Sequence, residues 1–384
     1  MNKIKANKTT MNTATGNKIL TRRAFAQGLG MTMAAMPFAS ALSAQTQGFT
    51  DAEIAPFRTP YKYGNLVLTA SGTPGAFDEK SVDDPFVFYH DGQFQMLYIG
   101  FDGTGYQTGL ARSHDLLHWE RIGCVAPRDP NSKYTKFNLA LACIVRENGL
   151  TSAGRLKKVH GRYLGAWNAY PNAGYEDGAA VMGLAWSDDL LHWELTDPIL
   201  FPADGAPWEH GGLYRPNLIE QDGTFYLFYN AKTDRLPKSE GGGWHEQSGV
   251  ATSRDLKTWK RYQGNPILTN GSADSRDARF ASNPFVVRNK HLWGMYYFGF
   301  GREGKARELL ALGRDPYHFT KVDEVMIDVG APGTVDETFA HKTSVIYHDH
   351  ALYHFYCAVS HKWPHEVRGI SVARSREFTE SERS

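Results

Sequence analysis

Beyond residue 50 the chain alternates apolar and polar side chains with a period of two. The alternation runs through Phe86 to Tyr98, Leu156 to Trp167, Leu218 to Tyr229, Phe285 to Phe298 and Ser344 to Tyr356. Tight-turn signals interrupt it, as at Asp91-Gly92, His160-Gly161 and Asp222-Gly223. A period of two predicts half-buried strands, and such a turn between two of them predicts a hairpin. A second signature follows the hairpins. Gly109, Ser113, Asp115, Leu116 and Trp119 recur at the same spacing as Gly183, Ser187, Asp189, Leu190 and Trp193, and again as Gly249, Ser253, Asp255, Leu256 and Trp259. A degraded copy runs from Leu310 to Phe319, and another from Gly369 to Phe378. An aspartate centred in such a turn accepts neighbouring backbone N–H groups, so these copies are expected to be structural, with the tryptophans packing between units.

Each unit therefore predicts four strands: a hairpin, a glycine-led third strand and a short fourth strand. Five units over roughly 340 residues, about 68 each, suit a propeller of about four to eight blades. The predicted fold is all-β, a five-bladed β-propeller with four-stranded antiparallel blades. A β-sandwich would share the strand content but supplies no reason for the recurrent turn. Pro56 to Leu68 precede the first complete unit and are expected to lend a strand to the last blade.

The N-terminal residues follow another logic. Lys3, Lys5, Lys8 and Lys18 lead into Thr21, Arg22, Arg23, Ala24 and Phe25; no charge then appears before Asp51, and small residues gather at Ala39 to Ala41 and at Ser43 and Ala44. This pattern predicts a twin-arginine export signal over residues 1–44, followed by a single domain over 45–384. Gly28, Gly30, Thr32, Pro37 and Ser40 weaken the apolar stretch as a permanent membrane span. The expected partner in export is the twin-arginine translocase, and the expected location periplasmic or secreted. Cys124, Cys143 and Cys357 are too few and too scattered for a disulfide framework or a Cys-x-x-Cys site. With Lys+Arg 42 against Asp+Glu 41, the formal charge of +1 argues against nucleic acid as a partner. Phe 21, Tyr 19, Trp 9 and Gly 38 are the composition of strands and tight turns rather than of disorder.

Aligning the units on their first turn brings out candidate chemistry. Eight residues before the turn stand Asp84, Ala153, Arg215 and Lys342, with Asn283 at the matching place in the shorter fourth unit. Pro85, Pro216 and Pro284 follow three of them. In a propeller these positions open the innermost strands and converge at one mouth of the channel. Six residues earlier lies an acid in every unit: Asp78, Glu147, Glu209, Asp277 and Asp336. Singly, each is suited to capping a loop; as a set they predict a carboxylate-lined cavity. Arg215, Lys342 and His341, with Tyr214, Trp208, Phe280 and Phe339 nearby, would add cations and flat apolar faces. Hydroxyls that take paired hydrogen bonds and a ring face that packs on an aromatic are features of a sugar, so the expected ligand is an oligosaccharide or polysaccharide.

The run Val82, Asp83, Asp84, Pro85, Phe86, Val87, together with the recurrent Ser-x-Asp-Leu-x-x-Trp, resembles the five-bladed propeller glycoside hydrolases of families 32, 43, 62, 68, 117 and 130. The resemblance covers nearly the whole mature chain. It implies a glycosidase in which the aspartate of the Asp-Pro pair, here Asp84, is general base or nucleophile. Those families start later inner strands with their acid and a third carboxylate, whereas this chain has Arg215, Asn283 and Lys342 there.

Among the remaining carboxylates, Glu209 is expected across the channel from Asp84 as general acid, with Asp277 raising its proton affinity. Glu337 is the alternative acid. Asp83, His210, Tyr214, Arg215, Asn283, Glu337, His341 and Lys342 are the expected substrate contacts. His210, His245 beside Glu246, and His341 lack metal-ligand spacing, so no cofactor is expected, although a single structural Ca²⁺ on the axis is compatible with converging acids and carbonyls. The expected activity is glycoside hydrolysis of an oligosaccharide or a terminal glycosyl unit, with inversion. The competing readings are a glycoside phosphorylase, with Arg215, Lys342 and Arg279 holding phosphate, and a non-catalytic glycan-binding propeller.

Overall fold

A computed structural model describes residues 48–237, 242–361 and 365–383. The 1–44 segment lies outside them. Residues Gly48–Ser384 form one compact unit.

Five antiparallel four-stranded blades follow one another along the chain. Blade one comprises Ser81–His90, Gln93–Phe101, Tyr106–Ser113 and Glu120–Ala126. Blade two comprises Ala140–Ile144, Arg162–Ala169, Val181–Ser187 and Glu194–Leu200, with the short Lys158–Val159 added beside its second strand. Blade three is Gly212–Gln221, Thr224–Lys232, Glu246–Ser253 and Lys260–Arg261; blade four is Phe280–Asn289, Leu292–Phe300, Ala306–Gly313 and Phe319–Ile327. Blade five takes Phe339–His348, Ala351–Ser360 and Val367–Arg374 from the end of the chain and Tyr61–Lys62 from its start, with Tyr61 opposite Arg374 and Lys62 opposite Ala373. That N-terminal strand closes the ring, a role the sequence predicts for this region. The first strands touch in cyclic order, one with two, two with three, and so on back to one, which makes them the channel lining of a five-bladed β-propeller.

Local chemistry explains why the blades form. Asp91 and Gly92 have φ of 47° and 77°, and Asp222 and Gly223 have 52° and 73°, the doubly left-handed geometry that matches strand twist in a two-residue hairpin. In the repeated turn, Asp115 Oδ1 accepts from the N–H groups of Leu117 and His118 at 2.9 and 2.8 Å, and Trp119 Nε1 donates to the Leu116 carbonyl at 3.1 Å. Asp189 and Asp255 repeat the arrangement. Trp119 then meets Phe355 of blade five edge-on, 5.8 Å between ring centres, so this tryptophan does join blades. Inner strands are buried on both faces, as in Ser81–His90, where the first eight residues are all buried. The three cysteines are unbridged. No helix among the described residues is long and apolar enough to cross a membrane.

Candidate active site

Four inner strands share one irregularity. Their pairing slips between Asp83 and Phe86, Tyr214 and Asn217, Ser282 and Phe285, and His341 and Ser344. Inside each slip sits one non-glycine residue in the left-handed region: Asp84 at φ 59°, Arg215 at 50°, Asn283 at 59° and Lys342 at 67°. Proline follows three of them; it has no N–H to give the ladder, so the strand bulges there. A left-handed non-glycine residue costs on the order of 1–3 kcal/mol, and such strain gathers at functional sites. Here it turns four side chains toward the axis. Arg215 Nε lies 2.7 Å from Asp84 Oδ1 and 3.2 Å from Asn283 Oδ1, and Asn283 Nδ2 donates to Asp84 Oδ1 at 3.3 Å. Arg215 also donates to the carbonyls of Ala142 and Pro85. Lys342 Nζ pairs with Asp83 at 2.7 Å and approaches Glu176 at 3.4 Å.

These groups floor a cavity of about 240 Å³. Its wall carries two further acids. Glu176, at φ 56°, comes from the loop after the second strand of blade two, and Glu246 begins the third strand of blade three. Tyr106, Tyr170, Tyr175, Tyr214, Trp244 and Phe280 supply aromatic surface.

The carboxylates differ sharply in surroundings. Burial works against ionising Asp83, but the charges of Lys342 and Arg368 outweigh it and hold this carboxyl far below the usual range. Burial raises Asp84 despite the Arg215 guanidinium. Glu246 is 3% exposed and raised by burial, with the negative charge of Glu176 a lesser contribution. Its oxygens accept from Trp244 Nε1 and Ser282 Oγ, each at 2.7 Å, and no cation pairs with it among the described residues. Glu176 instead faces Lys342 and, at 3.5 Å, the Tyr106 hydroxyl. Burial lowers His341 to about 3, so its imidazole is neutral; its Nδ1–H donates to the Cys357 carbonyl, leaving Nε2 as an acceptor. Among the described residues, no group of three His, Cys, Asp or Glu side chains is arranged to hold a metal ion.

Comparison with known proteins agrees with this architecture. A family model described as the glycosyl hydrolases family 32 N-terminal domain matches residues 154–326. A solved structure described as a glycoside hydrolase superposes with a TM-score of 0.71 at 29% identity, covering 86% of this chain and 97% of that one. The chain belongs to the β-propeller glycoside hydrolases. A second solved structure, a BT0996 RGII complex, superposes on this propeller glycoside hydrolase with a TM-score of 0.70 at 30% identity, over 85% of this protein and 94% of the other. A 1,2-beta-oligomannan phosphorylase of Thermoanaerobacter sp. (strain X514) is 28% identical over 162 residues. That match spans 41% of this chain and less than half, 45%, of the phosphorylase.

Of the positions singled out in the sequence of this propeller glycoside hydrolase, Asp84, Tyr214, Arg215, Asn283, His341 and Lys342 meet at the cavity, and Asp83 pairs with Lys342 and Arg368 of its lining. The other expectations need correction. Glu209 is 1% exposed, bonded to the Tyr229 hydroxyl and paired with Arg261 at 2.8 Å, away from the cavity. Asp277 likewise takes Tyr297 at 3.2 Å and Lys321 at 2.5 Å. Asp78 with Tyr98 and Arg121, and Asp336 with Tyr356 and Lys62, complete the series. The recurring acid is a clip: it ties its own blade's second strand, twenty residues onward, to the outermost strand. Blade two departs, because Ala153 sits in a loop outside its inner strand and Glu147 bonds Ser152. His210 contacts the Gly205 carbonyl, and Trp208 stacks on Tyr229. Glu337 accepts from the N–H groups of Gly333 and His361 at a separate surface depression. Glu176 carries no signal in the sequence, and Glu246 stands out there only as the neighbour of His245; neither recurs between units.

Proposed function

We propose that this protein is an exported glycoside hydrolase that removes one terminal glycosyl unit, with Glu246 as general acid and Glu176 as the anionic partner at the anomeric carbon. The observation that carries this reading is the contrast between the two glutamates. Glu246 is buried against neutral donors and pairs with no cation among the described residues, which keeps a proton available for the leaving oxygen, whereas Glu176 lies beside the Lys342 ammonium. A proton donor on one side of the glycosidic bond and a carboxylate with a cation beside it on the other are what glycoside cleavage needs. Asp84 is the third carboxylate. Arg215 and Asn283 hold its Oδ1, and the reading gives Oδ2 a substrate hydroxyl. The His341 acceptor takes another hydroxyl.

Cavity size supports action on a chain end. About 240 Å³ is below the roughly 300–1,000 Å³ that encloses drug-sized ligands and suits one sugar ring. Water as acceptor is favoured over phosphate by the charge pairing: Arg215 is matched by Asp84, Lys342 by Asp83 and Glu176, and Arg368 by Asp83 and Glu366. The phosphorylase reading draws on the name of one relative and would require a phosphate to compete for these cations or to rest on Arg279, which makes no ion pair among the described residues and packs over Phe280 and Phe300. Arg22 and Arg23, with the uncharged stretch after them, support export. The test is to incubate the protein with RGII oligosaccharides, 1,2-β-oligomannan and a panel of 4-nitrophenyl glycosides, with and without inorganic phosphate and in the presence of EDTA. Free terminal monosaccharide in both buffers is the expected result. Sugar phosphate formed only with phosphate, or internal fragments in place of monosaccharide, would overturn it.

A further inference from the structure

Lys232 ends the second strand of blade three and is 7% exposed. It makes no salt bridge among the described residues. Its Nζ instead donates to the backbone carbonyl of Glu176 at 3.0 Å. Three aromatic rings surround the ammonium, Tyr170 at 5.0 Å, Trp244 at 5.2 Å and Tyr214 at 5.7 Å from their centroids, and all three line the cavity. A buried ammonium needs compensation, and ring faces with a carbonyl provide it without a counter-ion.

Both glutamates of the proposed reaction hang on this arrangement. Glu176 is a left-handed residue in a loop flanked by Gly174 at φ 110° and Gly178 at φ 91°. Elsewhere the loop is tied by Gly174 N–H to the Thr104 carbonyl and by Asn138 to the Asn172 carbonyl, so Lys232 supplies the bond to the backbone of Glu176 itself. On the other side, Trp244 packs on Lys232 and donates its indole N–H to Glu246 at 2.7 Å. Lys232 and Glu246 are also direct partners across the strand pair. One buried cation thus fixes a loop of blade two and an aromatic of blade three at a common distance.

We infer that Lys232 is a positioning residue, setting Glu176 through its carbonyl and Glu246 through Trp244. This assignment rests on the glutamate roles proposed above. Its test compares Lys232→Met, close in shape but uncharged, with Lys232→Arg, using whichever natural, unactivated oligosaccharide the wild-type protein cleaves and counting folded protein by circular dichroism. Misplacement of a reacting group by about 1 Å costs roughly 10²-fold, so kcat per folded Lys232→Met protein is expected to fall by about that factor. KM should change little, and Lys232→Arg should recover part of kcat. Wild-type kcat in Lys232→Met would overturn the inference, as would equal losses in Lys232→Met and Lys232→Arg, which mark a packing role. If Lys232→Met fails to fold, Lys232→Gln takes its place beside Lys232→Arg: a larger loss of kcat in Lys232→Gln than in Lys232→Arg at unchanged KM supports positioning, and wild-type kcat in Lys232→Gln, or equal losses in the two, refutes it. Glu176→Gln and Glu246→Gln serve as controls. Full activity in either refutes the glutamate roles, and the Lys232 assignment with them; inactivity in both beside a normal Lys232→Met refutes the Lys232 assignment alone.

Discussion

Glu308 gives the fold a pH dependence that can be worked from its surroundings. It lies on the third strand of blade four, fully buried, and accepts a hydrogen bond from the hydroxyl of Thr343, the residue after Lys342 in the inner strand of blade five. Thr343 in turn lies 3.0 Å from His354 Nε2, and His354 Nδ1 is 3.1 Å from the Thr59 hydroxyl. The titratable groups around it are His354, which burial lowers to about 3 and keeps neutral, Tyr296, and Arg215. Burial pushes Glu308 from 4.5 to about 8, with Thr343 and Arg215 opposing it. Below about pH 4.5 folded and unfolded chains both hold this proton, so Glu308 leaves stability unchanged. Between 4.5 and 8 the unfolded chain releases it and the folded chain does not, and stability falls by about 1.36 kcal/mol per pH unit. Above 8 both are ionised and the loss is complete. From about pH 5 to about pH 8 the contribution is about 4 kcal/mol; at about 0.7 kcal/mol per kelvin for a unit of about 340 residues, that is about 6 °C in Tm. Glu308→Gln keeps the shape and cannot ionise. Measured by differential scanning calorimetry over this range, its Tm should gain about 6 °C on wild type as pH rises. Parallel Tm curves for the two proteins would show that Glu308 does not carry a displaced proton, and would refute the reasoning.

Two more predictions concern the carboxylates. Loss of a general acid costs about 10²–10⁴-fold, so Glu246→Gln should slow hydrolysis of natural oligosaccharides by that much while sparing activated 4-nitrophenyl glycosides, whose leaving group needs no proton; kcat/KM for the two substrate types checks this. Glu209→Gln and Asp277→Asn should leave kcat intact and lower the denaturation midpoint, because removing one partner of a buried ion pair costs about 3–5 kcal/mol, with the lower end expected where Arg261 and Lys321 are partly exposed.

The parts of the site legible in the sequence are those that local chemistry repeats. Asp84, Arg215 and Asn283 each precede a proline at a fixed distance from a hairpin turn, and Lys342 holds the same place without one. The bulge made by that local device aims all four at the axis. Repetition also misled. The acids at Asp78, Glu209, Asp277 and Asp336 recur because four of the five blades fasten their outer strand through them, so their periodicity belongs to the scaffold. A sugar has no fivefold symmetry, and groups that act on it need not repeat. Glu176 and Glu246 each occur once, on a loop and at a strand start, with no periodic signal to mark them.

From its own residues the chain determined the strand period, the hairpins, the number of blades and the left-handed positions, because turn and bulge preferences act over a few neighbouring residues. Tertiary structure alone decided which carboxyl groups lose water and which gain a cation. Proton affinity depends on burial and on charges brought from remote segments: Lys342 to Asp83 across 259 positions of chain, and Arg368 to the same carboxyl across 285.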